Sequence, residues 1–555
     1  MKRLASLAAV AFALFAASCS SGPDLSDGLE QINEESLRTH LMTLSDDSMM
    51  GRAPATPGEQ MAVDYIVSEF ERIGLQPGMP DGSWVQHFPI LAQQTDRNTS
   101  LRVTQNGRTV HNFSFGPELI VSPAQDQTEV AIRNAELVYV GYGIVAPEAD
   151  WDDYKGLDLT GKILVVKNND PSNFPDIFDG EARTYYGRWT YKYEIAQELG
   201  ALGVLIVHTT PTAGYPWSVV ANSFGRERFM LKPEGQRTPT EIQGWLNASA
   251  SRALFESAGL DLQELFDQAE SRDFTPVSLG NLRASIDVEA TNREITAQNV
   301  VAVLPGNDPI LRDEYVVFSA HHDHLGVGAA VNGDSIYNGA LDNASGVAAM
   351  LEMAKGFKTI QPRLKRSLLF TAVGAEESGL LGAKYFVQNP TVPVGFMSAN
   401  INLDGLNVFG PTSDLVSIGL GKTSIDAIMQ RLAGELGRTI EPDPNPDQGF
   451  FYRSDHFAFS QLGVPSTFTR MGTQFIGQPE NHYRDVIQPE MNQIYHTVLD
   501  NFNPDWDLSG GVEDTRFMFR VAFEIANTPE MMSWTPGNEF EVARQRALES
   551  RQSME

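Results

Sequence analysis

Short apolar runs alternate with helical periodicity through the second half of the chain. Residues 315–319 (YVVFS), Ser367–Val373 (SLLFTAV), 398–403 (SANINL) and 466–469 (STFT) are largely apolar or β-branched and read as buried strands. Between the first two, Val347, Ala348, Leu351 and Ala354 fall on one face of a helix over residues 344–357. Strand and helix alternating in this way predict a mainly parallel sheet sandwiched by helices, an α/β fold. Earlier in the chain, Glu34–Leu44 and residues 58–75 read as helices. In the second, Met61, Ala62, Tyr65, Ile66, Phe70 and Ile73 recur at helical spacing, and Gly74 marks its stop. Residues 85–88, 101–103 and 110–115 read as strands, as do 285–289 and 299–304.

The texture changes near Ala135. Strands are expected at 136–142, Lys162–Lys167 and 201–208, with a helix at 191–200, and residues 171–217 are dense in Pro, Gly and aromatics. No cluster with metal-ligand spacing occurs there. The chain therefore divides into a core of residues 34–134 and 283–530, a separate α/β module at 135–282, and a C-terminal helix and tail at 531–555.

Composition narrows the class. A chain of 555 residues with 42% hydrophobic and 20% charged residues suits two or three globular domains. The net charge of −30 argues against nucleic acid as a partner and against a polybasic membrane patch. Lys2 and Arg3 precede an apolar run, residues 4–17, that is short for a bilayer span but suits an export signal. It ends in Ala16-Ala17-Ser18-Cys19, which resembles a bacterial lipoprotein signal, with simple cleavage near Ala17 as the alternative. The expectation is a signal at 1–19, a tether at 20–33, and a periplasmic or outer-membrane-anchored lipoprotein whose membrane contact is an N-terminal lipid anchor. Cys19 is the single cysteine, so no internal disulfide forms.

Candidate chemistry begins where residues 315–319 end. His321, His322, Asp323 and His324 come next, three of the ten histidines within four residues. Asp342 sits before the helix at 344, Glu376 and Glu377 follow Ser367–Val373, Asp404 follows 398–403, and His496 lies between Tyr495 and Thr497. Taken singly, these are ordinary: a helix cap, a solvated acidic pair, a packed histidine. Together they gather where strands of one parallel sheet finish, which is where such sheets build sites. Two imidazoles and several carboxylates suit zinc, and a pair of ions needs a bridging carboxylate. Glu376 and Glu377 point apart at a strand end, so one can bind metal while the other faces substrate.

His321-x-Asp323, Gly339–Gly346 (GALDNASG), Glu376-Glu377-Ser378-Gly379, Asn402-Leu403-Asp404 and Tyr495-His496-Thr497 together resemble the five motifs of the cocatalytic dizinc exopeptidase family, which includes bacterial leucine aminopeptidases and aminopeptidase S. The resemblance spans about residues 34–134 and 285–526. The module at 135–282 resembles a protease-associated domain through Val140-Gly141-Tyr142-Gly143, Asp152-Asp153-Tyr154 and Gly161-Lys162. The resemblance implies an aminopeptidase acting on peptide substrates with two Zn2+ per chain. Asp342 would bridge the ions, His321 and Asp404 would complete one site, and Glu377 and His496 the other. Glu376 would be the general base, Asp323 would orient His321, and Tyr495 would steady the oxyanion. Asp455 and His456 would line the site, while His322, His324 and His482 would be packing residues. One departure is Val498, where the family often has Pro. Two other activities remain open: a glutaminyl cyclase-like transferase with one zinc, and a carboxypeptidase acting on acidic C-termini, to which Arg453 or Arg470 could contribute.

Overall fold

The computed structural model describes residues 23–554 apart from 179, 181, 226, 234 and 236. The signal segment and Cys19 lie outside the described residues. Helices α1 (Glu34–Leu44) and α2 (Pro57–Ile73) precede the core sheet, capped by Asn33 and Thr56. Gly74 ends α2 at φ 87°, a left-handed turn that glycine adopts without Cβ strain. The core sheet is built from β1 (Val85–Thr95), the second half of β2 (Val277–Leu304), β3 (Tyr315–His321), β4 (Ser367–Val373), β5 (Met397–Asn402), β6 (Asp414–Ile418), β7 (Thr439–Pro442) and β8 (Ser466–Met471). Strands β4, β3, β5 and β8 lie side by side and parallel. The margins carry antiparallel pairs, β2 on β4 with β1 beyond it, and β6 on β8.

Alternation along the central strands fixes both layers. Val316, Phe318 and Ala320 of β3 share a core with Leu368, Phe370 and Ala372 of β4 and with Ala399 and Ile401 of β5. Helices α3 (Ser345–Thr359) and α5 (Ser509–Asn527) supply the other side of that core through Val347, Leu351, Phe357, Phe519 and Val521. Val317, Leu369, Val373 and Met397 face the opposite way, onto Ala383 and Phe386 of α4 (Leu381–Gln388). Burial on both faces explains why these strands read as continuous apolar runs. The chain passes from β3 to β4 on one side, then crosses to β5 on the other. The crevice at the carboxyl end of β3 is therefore a topological switch point.

A second core runs from Leu101 to Val288. It holds three parallel strands, Lys162–Lys167, Gly203–Val207 and Ile242–Leu246, with the helices Trp189–Glu198 and Ala248–Ser257. Strands Ser100–Gln105, Arg108–Ser114, Leu119–Pro123 and Glu129–Tyr139 belong to the same sheet, so this core gathers residues on both sides of Asn134. Strand β2 joins the two cores as one 28-residue run. Two separate strands were expected there, because the polar stretch 290–296 breaks the apolar pattern. Its backbone is instead held by antiparallel pairing with β1.

The N-terminal tether reading needs correction. Leu25–Gln31 is a helix capped by Asp24, and Leu29 and Ile32 are buried in the main core. Gly28 packs so closely on Phe519 and Gly356 that a Cβ there would lie 2.8 Å from the Phe519 ring. Glu541–Gln552 forms the expected C-terminal helix, fastened by buried Arg544, which donates to the Met397 and Met532 carbonyls. Among the described residues, no helix is long and apolar enough to cross a membrane.

Candidate metal centre

Each of the three central strands ends in part of the site. His321 is the last residue of β3, the Glu376–Glu377 pair follows β4, and Asp404 follows β5. Asp342 comes from the turn before α3, and His496 from the segment before α5. His321 Nε2 lies 3.2 Å from Asp342 Oδ1 and 3.4 Å from Asp404 Oδ1. His496 Nε2 lies 3.0 Å from Asp342 Oδ2 and 3.1 Å from Glu377 Oε2. One carboxylate thus offers one oxygen to each of two histidine–carboxylate clusters.

His321, Asp342 and Asp404 each bring a donor atom within 4.8 Å of the others, and so do His324, Asp342 and Glu377. His324, expected to be a packing residue, has its Nδ1 2.7 Å from Glu377 Oε1. The contact is off the direction a hydrogen bond requires: both ring nitrogens of His324 and Glu377 Oε1 are buried without a hydrogen-bond partner among the described residues. Orphaned nitrogen and carboxylate donors, turned toward one another in acidic surroundings, fit divalent ions of the zinc type. Burial would raise the Asp342 carboxyl, but the His321 and His496 imidazoles against its two oxygens hold it well below the usual carboxylate range. Glu376 is pushed well above its usual value, first by burial and then by Glu377, Asp455 and Asp404, with His321 acting in the opposite direction.

The supporting shell ties the loops together. Asp323 is fully buried, and its carboxylate accepts the backbone N–H of Glu376 at 3.0 Å and of Glu377 at 3.3 Å. His321 Nδ1 lies 3.2 Å from the Asp323 carbonyl oxygen and 3.8 Å from its carboxylate. Asp500 accepts the backbone N–H groups of Leu341 and Asp342 at 2.8 and 3.0 Å. The Asn343 side chain accepts from Gly346 N and Gly405 N and donates to the Leu403 carbonyl, joining the Asp342 turn to the Asp404 turn. A relay of hydrogen bonds runs from Ser319 to Asn402, from Asn402 to Ser454, and from Ser454 Oγ to Asp404 Oδ2.

Arg52 is fully buried and donates to four carbonyls, those of His322, Leu44, Asn338 and Gly339. It clamps the loop after His321 to the loop before Asp342. Gly339 sits at φ 57°, and a Cβ there would lie 2.5 Å from the His324 ring.

Sequence reasoning missed Arg52, Asp500, Asn343 and Ser454 as positioning residues. Asn343 carried a signal inside the motif Gly339–Gly346, and Ser454 stands beside Asp455 and His456 in Arg453-Ser454-Asp455-His456. His322 is a packing residue as expected: its Nε2–H donates to the Gln298 carbonyl at 2.9 Å, and burial lowers its pKa to about 4. Asp455 and His456 are fully buried; the Asp455 charge lies close enough to act on Glu376, and the neighbours Arg453 and Ser454 line the cavity. Tyr495 stacks on the His496 ring at 3.9 Å and stands 59% exposed at the mouth.

The cluster opens into a cavity of about 390 Å³ that Glu376, Phe450, Arg453, Arg470 and Tyr495 also line. A pocket of this size, opening over a few convergent polar groups, suits a small ligand or a short peptide segment.

Residues 299–519 match the model of peptidase family M28. The chain is 24% identical over 472 residues to an aminopeptidase of Pseudomonas aeruginosa, covering 82% of this chain and 74% of that protein. It is 30% identical over 176 residues to leupeptin-inactivating enzyme 1 of Streptomyces exfoliatus, a match that spans 32% of this chain and 36% of that enzyme. Among solved structures, an aminopeptidase from Aneurinibacillus sp. strain AM-1 superposes with a TM-score of 0.49 at 18% identity, over 92% of this chain and 98% of that one. The stretch that matches peptidase family M28, residues 299–519, holds every residue of both clusters, and the chain is a hydrolase of peptide bonds.

Proposed function

We propose that the chain is a zinc-dependent aminopeptidase that removes N-terminal residues from peptides with two zinc ions per chain. The division of the Asp342 oxygens between His321 and His496 carries this reading, because it leaves one bridging carboxylate between two donor sets. His321 and Asp404 would hold one ion, Glu377 and His496 the other, and His324 would press on the free oxygen of Glu377. Zinc, when bound, polarises a carbonyl oxygen and lowers the pKa of water. Glu376 would take the proton from the attacking water and return it to the leaving amine. Asp323 fixes the backbone from which Glu376 projects, and Tyr495 stands at the mouth where a tetrahedral oxygen would emerge. The segment at 135–282 is read as a protease-associated module, and the chain as an exported protein held to a membrane by lipid at Cys19. Names among the relatives favour aminopeptidase over the transferase and carboxypeptidase readings.

The test is a panel of aminoacyl and C-terminal dipeptide substrates, each with and without a chelator and with zinc restored. Release of N-terminal residues, lost with chelator and regained with zinc, is expected. Chelator-resistant cleavage, or cleavage at the C-terminal bond alone, overturns the reading.

A further inference from the structure

Asn445, Phe450 and Arg453 line the same cavity as Glu376. They lie on a stretch built of two single helical turns, Pro446–Gln448 and Phe450–Tyr452, joined through Gly449 at φ 62°. Turns this short hold little order by themselves, so this part of the cavity wall takes its position from what fastens it. Two elements distant in sequence do so. From the second core, Arg183 donates its backbone N–H to the Pro446 carbonyl at 3.2 Å, and the Tyr185 ring packs on Phe457 and Phe540 with centroids 5.5 and 6.3 Å away. From the segment before the C-terminal helix, Trp534 and Phe540 join Phe451, Tyr452 and Phe457 in one apolar cluster.

Glu539 stands where the three meet, with its side chain 8% exposed. One oxygen accepts the Tyr452 hydroxyl at 2.7 Å and the other the Tyr185 backbone N–H at 3.2 Å, while Lys422 Nζ lies 3.5 Å from the first. A hydrogen bond to a carboxylate is stronger than one between neutral groups, and more so away from water. Tyr452 is buried and stands in sequence between the wall residues Phe450 and Arg453, and Ser454 Oγ, two positions on, donates to Asp404. Tyr185 precedes and Glu539 follows residues 299–519, so the fastening comes from parts of this chain outside the stretch that holds the metal centre. We propose that Glu539 is a positioning residue for substrate binding: by joining Tyr185 to Tyr452 it sets the cavity wall of Phe450 and Arg453 against which the peptide lies. The inference rests on the proposed aminopeptidase reading. It gives the second core and the C-terminal segment a part in substrate binding and none in proton transfer.

The experiment measures kcat and KM separately for leucylglycylglycine in wild type, Glu539→Ala, Glu539→Gln, Tyr452→Phe and the double variant of Glu539→Ala with Tyr452→Phe, with zinc content recorded for each. In Glu539→Ala, KM is expected to rise about tenfold, the scale of losing a hydrogen bond to a charged group, with kcat and zinc content near wild type. KM does not depend on what fraction of the chains folds. Tyr452→Phe keeps the ring, loses the hydroxyl and should raise KM as well. The double variant should be no worse than Glu539→Ala, because both changes remove the same bond. Glu539→Gln can accept the Tyr185 N–H through its oxygen and donate to the Tyr452 hydroxyl oxygen, so KM should return to within about twofold of wild type. An unchanged KM in Glu539→Ala, a loss confined to kcat, additive effects in the double variant, or a Glu539→Gln as impaired as Glu539→Ala each overturns the inference.

Absence of all peptide hydrolysis would count against the aminopeptidase reading, and amide hydrogen exchange then tests the fastening separately. In Glu539→Ala, exchange over residues 183–188 and 445–453 should become faster while β3, β4 and β5 keep their protection. Unchanged exchange in those two stretches, or faster exchange throughout the chain, overturns the role given to Glu539.

Discussion

The Asp323 carboxylate accepts the backbone N–H of Glu376 at 3.0 Å, although 53 residues separate them. Asp323 therefore fixes the main chain from which Glu376, the proposed acid–base residue, projects, in addition to standing behind His321. Asp323→Asn would turn amide hydrogens toward one of two backbone donors. We expect kcat to fall about 10²-fold, the scale of one misplaced acid–base group. Zinc content, read by elemental analysis, should stay near wild type. Unchanged kcat would remove Asp323 from this role.

Glu376→Gln keeps the shape of the side chain and loses its proton-carrying capacity. The expected result is full metal content with kcat down by about 10³-fold or more. Rapid turnover by this variant would require another base.

Asp342→Ala removes the carboxylate shared by both clusters. Elemental analysis should find zinc reduced from two per chain to almost none, whereas His496→Ala should keep the ion on the His321 side. Two ions per chain in Asp342→Ala would rule out the bridge.

Arg52→Met leaves four buried carbonyls without their donor. Each unsatisfied buried group costs about 1–3 kcal/mol, so a loss of at least ~3 kcal/mol in unfolding free energy is expected, together with weaker zinc binding in a chelator competition. If denaturant midpoint and zinc affinity both match wild type, the clamp has no energetic weight.

Glu59 is fully buried, and burial raises its carboxyl to about 7 even though it accepts the backbone N–H groups of Ala55 and Gln298. Between its ordinary value and about 7, the folded chain holds a proton that the unfolded chain has released. Stability from this group is therefore greatest at low pH, declines as pH rises through that window, and is flat above it. Urea midpoints measured from pH 4.5 to 8 should show a declining contribution totalling up to about 3 kcal/mol, and Glu59→Gln should remove it. A constant difference between wild type and variant across that range would contradict the raised value.

The sequence by itself determined the central strands and the metal-binding candidates. Ser367–Val373 was legible to the residue because both its faces are buried, so its apolar run is unbroken. His321, Asp342, Glu377 and Asp404 stood out because each follows a strand or precedes a helix within a short motif, and His496 because of the Tyr495-His496-Thr497 motif. Tertiary structure decided what holds them. Arg52 reads as one residue of a polar loop, and nothing local says that its guanidinium will collect carbonyls from residues 44, 322, 338 and 339. Asp500 meets the backbone of Asp342 across 158 positions. The union of the apparently separate strands 285–289 and 299–304 depends on β1, nearly 200 residues earlier. Side-chain periodicity records which face of an element is buried. Hydrogen bonds to distant main-chain atoms leave no such periodic mark, so only the folded chain reveals them.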